Sequence, residues 1–238
     1  MNRSSVFFAV VCVTAVMNAS SVATVVYSNN FEDQLTAGLS GYVSIQPTQG
    51  LAAYGCGGYF LHNSTGGHSS GQFGAPGLPT TLTLTNLPGH TSLKLDFLLA
   101  VVDSWDGARD ANPDMFHVTI DGQSVFAYYL QNFGGHATQN WPDWQNSIIA
   151  EGSLCKNSGW NDALYNAGIS AAFQPIAHTS STVTIQWWAD GPGWQGGGIY
   201  GENDESWGID NLTVTVIPEP ATMLLLVVGG LALRRGKK

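Results

Sequence analysis

The sequence predicts an all-β fold, an antiparallel β-sandwich of jelly-roll type, and three observations carry that expectation. Six segments alternate apolar and polar residues with period two or are rich in β-branched and aromatic residues. No stretch holds a convincing helical period. Glycine and proline punctuate the connections, as in GGHSSGQFGAPGLP and DGPGWQGGGIYG. Two sheets sharing one core is the architecture that such features build.

Taken in chain order, residues 1–23 come first. They begin with Arg3, run through the apolar VFFAVVCVTAVM and reach the small residues Ser20, Ser21 and Ala23. Those are the three parts of a secretory signal peptide, with cleavage expected after Ala23 or at Ala19. Residues 24–217 then form one ectodomain, a size that a single core supports. Its expected strands are Thr80–Thr85, Ser92–Asp103, Met115–Ile120, Ser124–Leu130, Thr182–Ala189 and Asn211–Val216. Asp121-Gly122 between the third and fourth predicts a tight hairpin, because glycine accepts the positive φ of a type I′ turn. Asn161–Phe173 is interrupted by Gly168 and is expected to hold one short helix or turn. Loops over 55–79, 134–146 and 191–206 are long enough to shape a surface.

Charge narrows the partners. Between residues 24 and 217 only Lys94, Arg109 and Lys156 stand against sixteen acids, a net charge near −13. Such a domain repels phosphate backbones, which excludes nucleic acid as a partner. Either divalent cations are its charged partner or the acidity serves solubility. Side-chain columns point at particular carboxylates. By parity Leu93, Leu95, Phe97, Leu99 and Val101 share one strand face, which ends at Asp103; Leu212, Val214 and Val216 share another, preceded by Asp210. A carboxylate at the rim of a core requires a cation or donors, whereas one on a strand end that bends outward is solvated.

The last residues, PEPATMLLLVVGGLALRRGKK, join Pro218, Glu219 and Pro220 to an apolar run ending at Leu233 and a basic cluster that includes Arg234 and Arg235. This order and spacing resemble the PEP-CTERM sorting signal of exported bacterial proteins. The resemblance implies recognition and processing by an exosortase-type membrane enzyme, a surface or matrix destination and association with exopolysaccharide. Thirteen apolar residues in a helix span about 20 Å, short of the hydrocarbon core of about 30 Å, so residues 218–238 suit an address with a transient inner-membrane anchor. The basic end is expected to stay cytoplasmic and the ectodomain to face outward.

The opening YSNNFED and the closing SWGIDNLTV resemble the terminal strands of MAM-type and carbohydrate-binding-module jelly rolls. The resemblance implies adjacent first and last strands and a structural calcium ion held by Glu32 and Asp210, with Asp33 or Asp103 as further ligands. Calcium takes six to eight oxygens, so these residues supply part of its shell. The segment DSWDGARDANPD adds Asp106, Asp110 and Asp114 without EF-hand spacing.

No catalytic residue is assigned. Glu202, Asp204 and Glu205 approach the E-x-D-x-x-E arrangement of sandwich-fold glucanases, but the third acid falls one position early, and Glu205 points away from the other two. The six histidines form no H-E-x-x-H motif, although His62 and His68 can approach one another across a Gly/Ser loop. Trp141, Trp144, Trp160 and Trp194 lie in polar or Gly-rich segments, where they either stack on sugar rings or partner side chains or cover the open ends of the sandwich. Cys56 and Cys155 are the ectodomain's only thiols, either bridged across about a hundred residues or separate. Together these features predict a noncatalytic surface or matrix protein, calcium-stabilised and exopolysaccharide-associated. The alternatives are a sandwich-fold polysaccharide hydrolase or lyase and a protein-binding adhesin.

Overall fold

The computed structural model describes residues 22–66, 76–103, 105–108, 113–132, 137–155, 160–194 and 205–219. Most of the expected signal peptide and the tail from Pro220 onward lie outside them, as do Glu202, Asp204, His68, Arg234 and Arg235. Among the described residues no helix is long and apolar enough to cross a membrane. One compact unit spans Ala23–Pro218.

That unit is a sandwich of two antiparallel sheets. The first places β3 (Ser44–Pro47), β4 (Tyr59–Asn63), β13 (Glu205–Ile217), β6 (Ser92–Asp103), β10 (Asp162–Asn166) and β9 (Ile148–Gly152) side by side. To it β1 (Thr24–Asn29) adds by pairing with β13, and β11 (Ile176–Ala177) by pairing with β6. The second runs β2 (Leu39–Gly41), β5 (Thr80–Thr85), β12 (Thr182–Asp190), β7 (Met115–Ile120) and β8 (Gln123–Tyr129). First and last strands are neighbours, as the resemblance to jelly rolls implies.

The core follows the predicted alternation. Leu93, Leu95, Phe97, Leu99 and Val101 of β6 are all at most 2% exposed and face Val183, Ile185 and Trp187 of β12 in the same cluster. Each such side chain gains about 1.5–3 kcal/mol from burial. The β7–β8 hairpin turns on Asp121 and Gly122 with φ of 50° and 77°, the signature of the expected turn. At that end of the sandwich His90 Nε2 lies 2.6 Å from His178 Nδ1, and His178 Nε2 3.0 Å from Asp121 Oδ2, which ties two interstrand links to the hairpin.

One expectation is met in part and two are corrected. Residues 161–173 hold strand β10 followed by 3₁₀ turns at Ala167–Ile169 and Ala171–Phe173, because Asp162–Asn166 finds partners in both β6 and β9. The last strand begins at Glu205, six residues before the predicted start. It also does not keep parity: Asn211, with φ of 51°, forms a bulge where the register with β6 jumps from Asp210↔Leu98 to Thr213↔Asp96. Trp207 and Ile209 therefore join Leu212 and Val214 in the main core, while Asp210 moves to the opposite face of the sheet.

A second, smaller core occupies that opposite face. Leu51, Cys56, Phe60, Ala100, Val102, Cys155 and Leu164 form it, and residues 98–102 of β6 are consequently covered on both sides. Gly208 makes the room: a Cβ there would stand 2.1 Å from the Phe60 ring.

Candidate functional site

The bulge builds the first site. Along one edge of β13, β1 pairs with Leu212–Val216 and β4 with Trp207–Ile209, leaving Asp210 and Asn211 at the junction. The chain that leaves β1 and the chain that enters β4 meet there. Asn29 Oδ1 accepts the Phe31 N–H at 2.7 Å, and the resulting turn buries Phe31 and brings Glu32 over Gly57 and Gly58. Glu32 Oε1 accepts the Tyr59 N–H at 3.2 Å. A Cβ at Gly57 would sit 1.8 Å from that same oxygen. Asp210 is 1% exposed; its Oδ2 accepts the Gly57 N–H at 2.7 Å and its Oδ1 the Asn211 N–H at 2.6 Å.

Burial raises the pKa of Asp210 above the ordinary carboxylate range, the two N–H donors oppose the rise, and the charge of Glu32 adds to it. Lys94 is the only lysine or arginine among the described residues, and it pairs with Asp96 at 2.8 Å. Among the described residues no group of three or more His, Cys, Asp or Glu side chains is placed to hold a metal ion, and the Glu32 and Asp210 oxygens are met by backbone N–H donors. The other two acids expected here lie elsewhere. Asp33 borders an open hollow with Tyr27, Asn29 and Leu35. Asp103 is five register positions from the Asp210 row, about 17 Å along the strand, too far to share an ion with it. It instead turns the chain with φ of 66°, and its N–H donates to Asp162 Oδ1 at 3.0 Å.

The tryptophans expected at the surface divide. Trp141 and Trp194 are at most 1% exposed: Trp141 packs against Phe126 and Tyr165, and Trp194 sits edge-on to Trp105 and donates from Nε1 to the Thr65 carbonyl at 3.0 Å. Both rings belong to the main core and offer no open face. Trp144 is half-buried against that core, and Trp160 is 46% exposed.

The second site is the outer face of the five-stranded sheet. Strand pairing sets its side chains in rows, spaced about 6.8 Å along the strands. One row holds Ser40, Thr81 and Gln186, with Gln186 Nε2 donating to Thr81 Oγ1 at 3.2 Å, and ends at Thr119, whose hydroxyl oxygen is buried. The next holds Trp188, His117 and Ala127, and the one after it Asp190, Met115 and Tyr129. Trp188 and His117 stack with planes 3° apart and centroids 4.9 Å apart, while His117 Nε2 lies 2.6 Å from Asp190 Oδ1. The carboxylate orients the imidazole and the imidazole braces the indole. An aromatic face beside rows of hydroxyl and amide groups is the equipment that stacks on a sugar ring and hydrogen-bonds its hydroxyls. Sequence reasoning missed this group, although parity along β12 and β7 contains the signal.

Comparison with known proteins adds the following. Residues 216–238 match the PEP-CTERM protein-sorting motif, which marks an exported protein sorted to the cell envelope or surface. No curated protein matches the chain. Among solved structures it is similar to the Agl-KA catalytic domain at 11% identity and TM-score 0.34, over 78% of this chain and 27% of that one. It is similar to TmCBM61 in complex with β-1,4-galactotriose at 10% identity and TM-score 0.36, over 78% and 92%. A third is the N-terminal CBM22-1–CBM22-2 tandem domain of Xyn10C from Paenibacillus barcinonensis, at 14% identity and TM-score 0.38, over 85% and 49%. The chain thus spans about a quarter of the first of these and half of the third.

Proposed function

We propose that this protein is an exported, noncatalytic surface or matrix component that binds polysaccharide on the outer face of its five-stranded sheet. The stacked Trp188–His117 pair, oriented by Asp190 and flanked by a row of hydroxyl and amide side chains, carries this reading. The excess of acids makes neutral or amino-sugar polymers the ligand class, because a polyanionic glycan would be repelled by a domain near −13. A calcium ion at Glu32 and Asp210 braces the junction of β1, β4 and β13. An exosortase-type enzyme processes the tail, which tethers the chain to the inner membrane until then.

The test is retention of the purified protein in gels containing neutral, amino-sugar or acidic polysaccharides, with Trp188→Ala beside the wild type. Retention by the first two classes, weakened at least tenfold in Trp188→Ala at unchanged melting temperature, supports the proposal. Equal retention of both proteins overturns the assignment of the face. Release of reducing ends or unsaturated sugars would favour a hydrolase or lyase, and cell aggregation insensitive to free sugars an adhesin.

A further inference from the structure

Cys56 and Cys155 arrive from distant parts of the chain at the same small core. Cys56 follows the 3₁₀ turn Leu51–Tyr54 and sits in a loop fixed at several points: Thr48 Oγ1 donates to the Gly57 carbonyl at 2.9 Å, the Thr48 N–H to the Gly58 carbonyl at 3.1 Å, and the Gly57 N–H to Asp210. Cys155 follows β9 and is fixed by a carboxylate of its own. Asp162 is fully buried, and its Oδ2 accepts the Leu154 and Cys155 N–H groups at 2.9 and 2.8 Å. Both segments lie on the outer face of the first sheet, over the trough that Gly208 and Ala100 leave between Phe60 and Leu164. The thiols are 6% and 4% exposed and unbridged.

We infer that Cys56 and Cys155 form an intramolecular disulfide in the exported protein, which staples the two loop segments over the first sheet. Each thiol loses one hydrogen. The two electrons and two protons pass by thiol–disulfide exchange to a disulfide-bearing oxidant of the exported compartment, which departs as a dithiol. Burial and then Asp210 push Cys56 up to about 12, and burial, Asp162, Asp103 and Cys56 itself push Cys155 higher still. At 6% and 4% exposure the seated thiols are closed to an oxidant, so the bond forms while the loops are still open. Tyr54, 41% exposed, lies two residues before Cys56, so the bridge anchors the segment that carries it.

Export is the condition for the oxidant; the pairing depends on the fold alone. Two arms keep them apart. The purified, reduced ectodomain is refolded in an oxidising glutathione buffer, quenched in acid, unfolded, alkylated without reductant and digested. A peptide linking Cys56 to Cys155, two hydrogens lighter than the dithiol, is expected, and reductant should lower the melting temperature by roughly 10 °C. Two alkylated cysteines, or bridges between separate chains, overturn the pairing. The same mapping on protein recovered from the exported fraction decides whether the bond forms in place; two free thiols there overturn the proposal for the mature protein. Neither arm needs a cysteine variant that folds.

Discussion

His62 offers a test of the second core that needs no ligand. It lies on β4 beside Phe60, with ring centroids 5.3 Å apart, is 6% exposed, and has no hydrogen-bond partner at either ring nitrogen among the described residues. Burial lowers its pKa from 6.5 to about 4. In the folded state the ring is therefore neutral down to about pH 4, while in the unfolded chain it takes up a proton near 6.5. Between those values the unfolded state binds more protons, so stability falls as pH falls, and the loss is complete below the folded pKa. At 1.36 kcal/mol per unit, a shift of this size corresponds to about 3 kcal/mol. His62→Leu removes the titrating group together with two unsatisfied buried nitrogens, so it is expected to match or exceed wild-type stability at neutral pH. Urea denaturation of both proteins from about pH 7.5 to 4, at fixed ionic strength, reads the difference. Other titrating groups are common to the two chains and cancel. Stability curves that stay parallel across that range would refute the reasoning, since they would mean that His62 reaches water or a partner.

Asp210→Asn keeps the shape of the β1–β4–β13 junction and removes its buried charge. With a calcium affinity in the range of extracellular modules, about 10⁻⁴ M, ion at a hundredfold excess adds about 2.7 kcal/mol to the wild type and raises its melting temperature by roughly 5–11 °C. The variant is expected to lose that increment, and an equal effect of the substitution in calcium and in chelator would remove the ion from the junction. Gly208→Ala drives a methyl group to 2.1 Å from the Phe60 ring and is expected to cost about 1–3 kcal/mol, partly recovered by Phe60→Leu in the same chain; thermal melts of the single and double variants check it. Replacing Pro218, Glu219 and Pro220 by alanine is expected to leave export intact and block tail processing. Normal maturation of that variant, followed by mass, would contradict the sorting role.

Much of this fold is written locally. Thr80–Thr85, Ser92–Asp103 and Met115–Ile120 were legible to the residue because one face of each is dry and, over much of its length, the other is less buried, so period two is imprinted there; it fades where the second core covers residues 98–102 on both sides. The Asp121-Gly122 turn was legible because its backbone needs positive φ, and few residue pairs supply it cheaply. The same period misled at Asp210. A bulge costs one residue and little else locally, but it inverts every side chain beyond it, and nothing in GIDNLTV announces that Asn211 takes φ of 51°.

Trp141 and Trp194 take the second of the two roles the sequence left open, covering the sandwich rather than facing a ligand. Polar and glycine-rich neighbours describe a loop's path over the surface, yet a large ring on such a loop can be the plug that closes the sandwich. Composition, charge balance and the sorting tail were settled by the sequence alone, since each is read locally and without knowledge of what the chain packs against. Only the tertiary structure decided which carboxylates meet, that Trp188, His117 and Asp190 form one group, and that two cysteines a hundred residues apart share a core. Those facts depend on which strands become neighbours, and pairing across long separations is fixed by the collective burial of two sheets, which no single segment encodes.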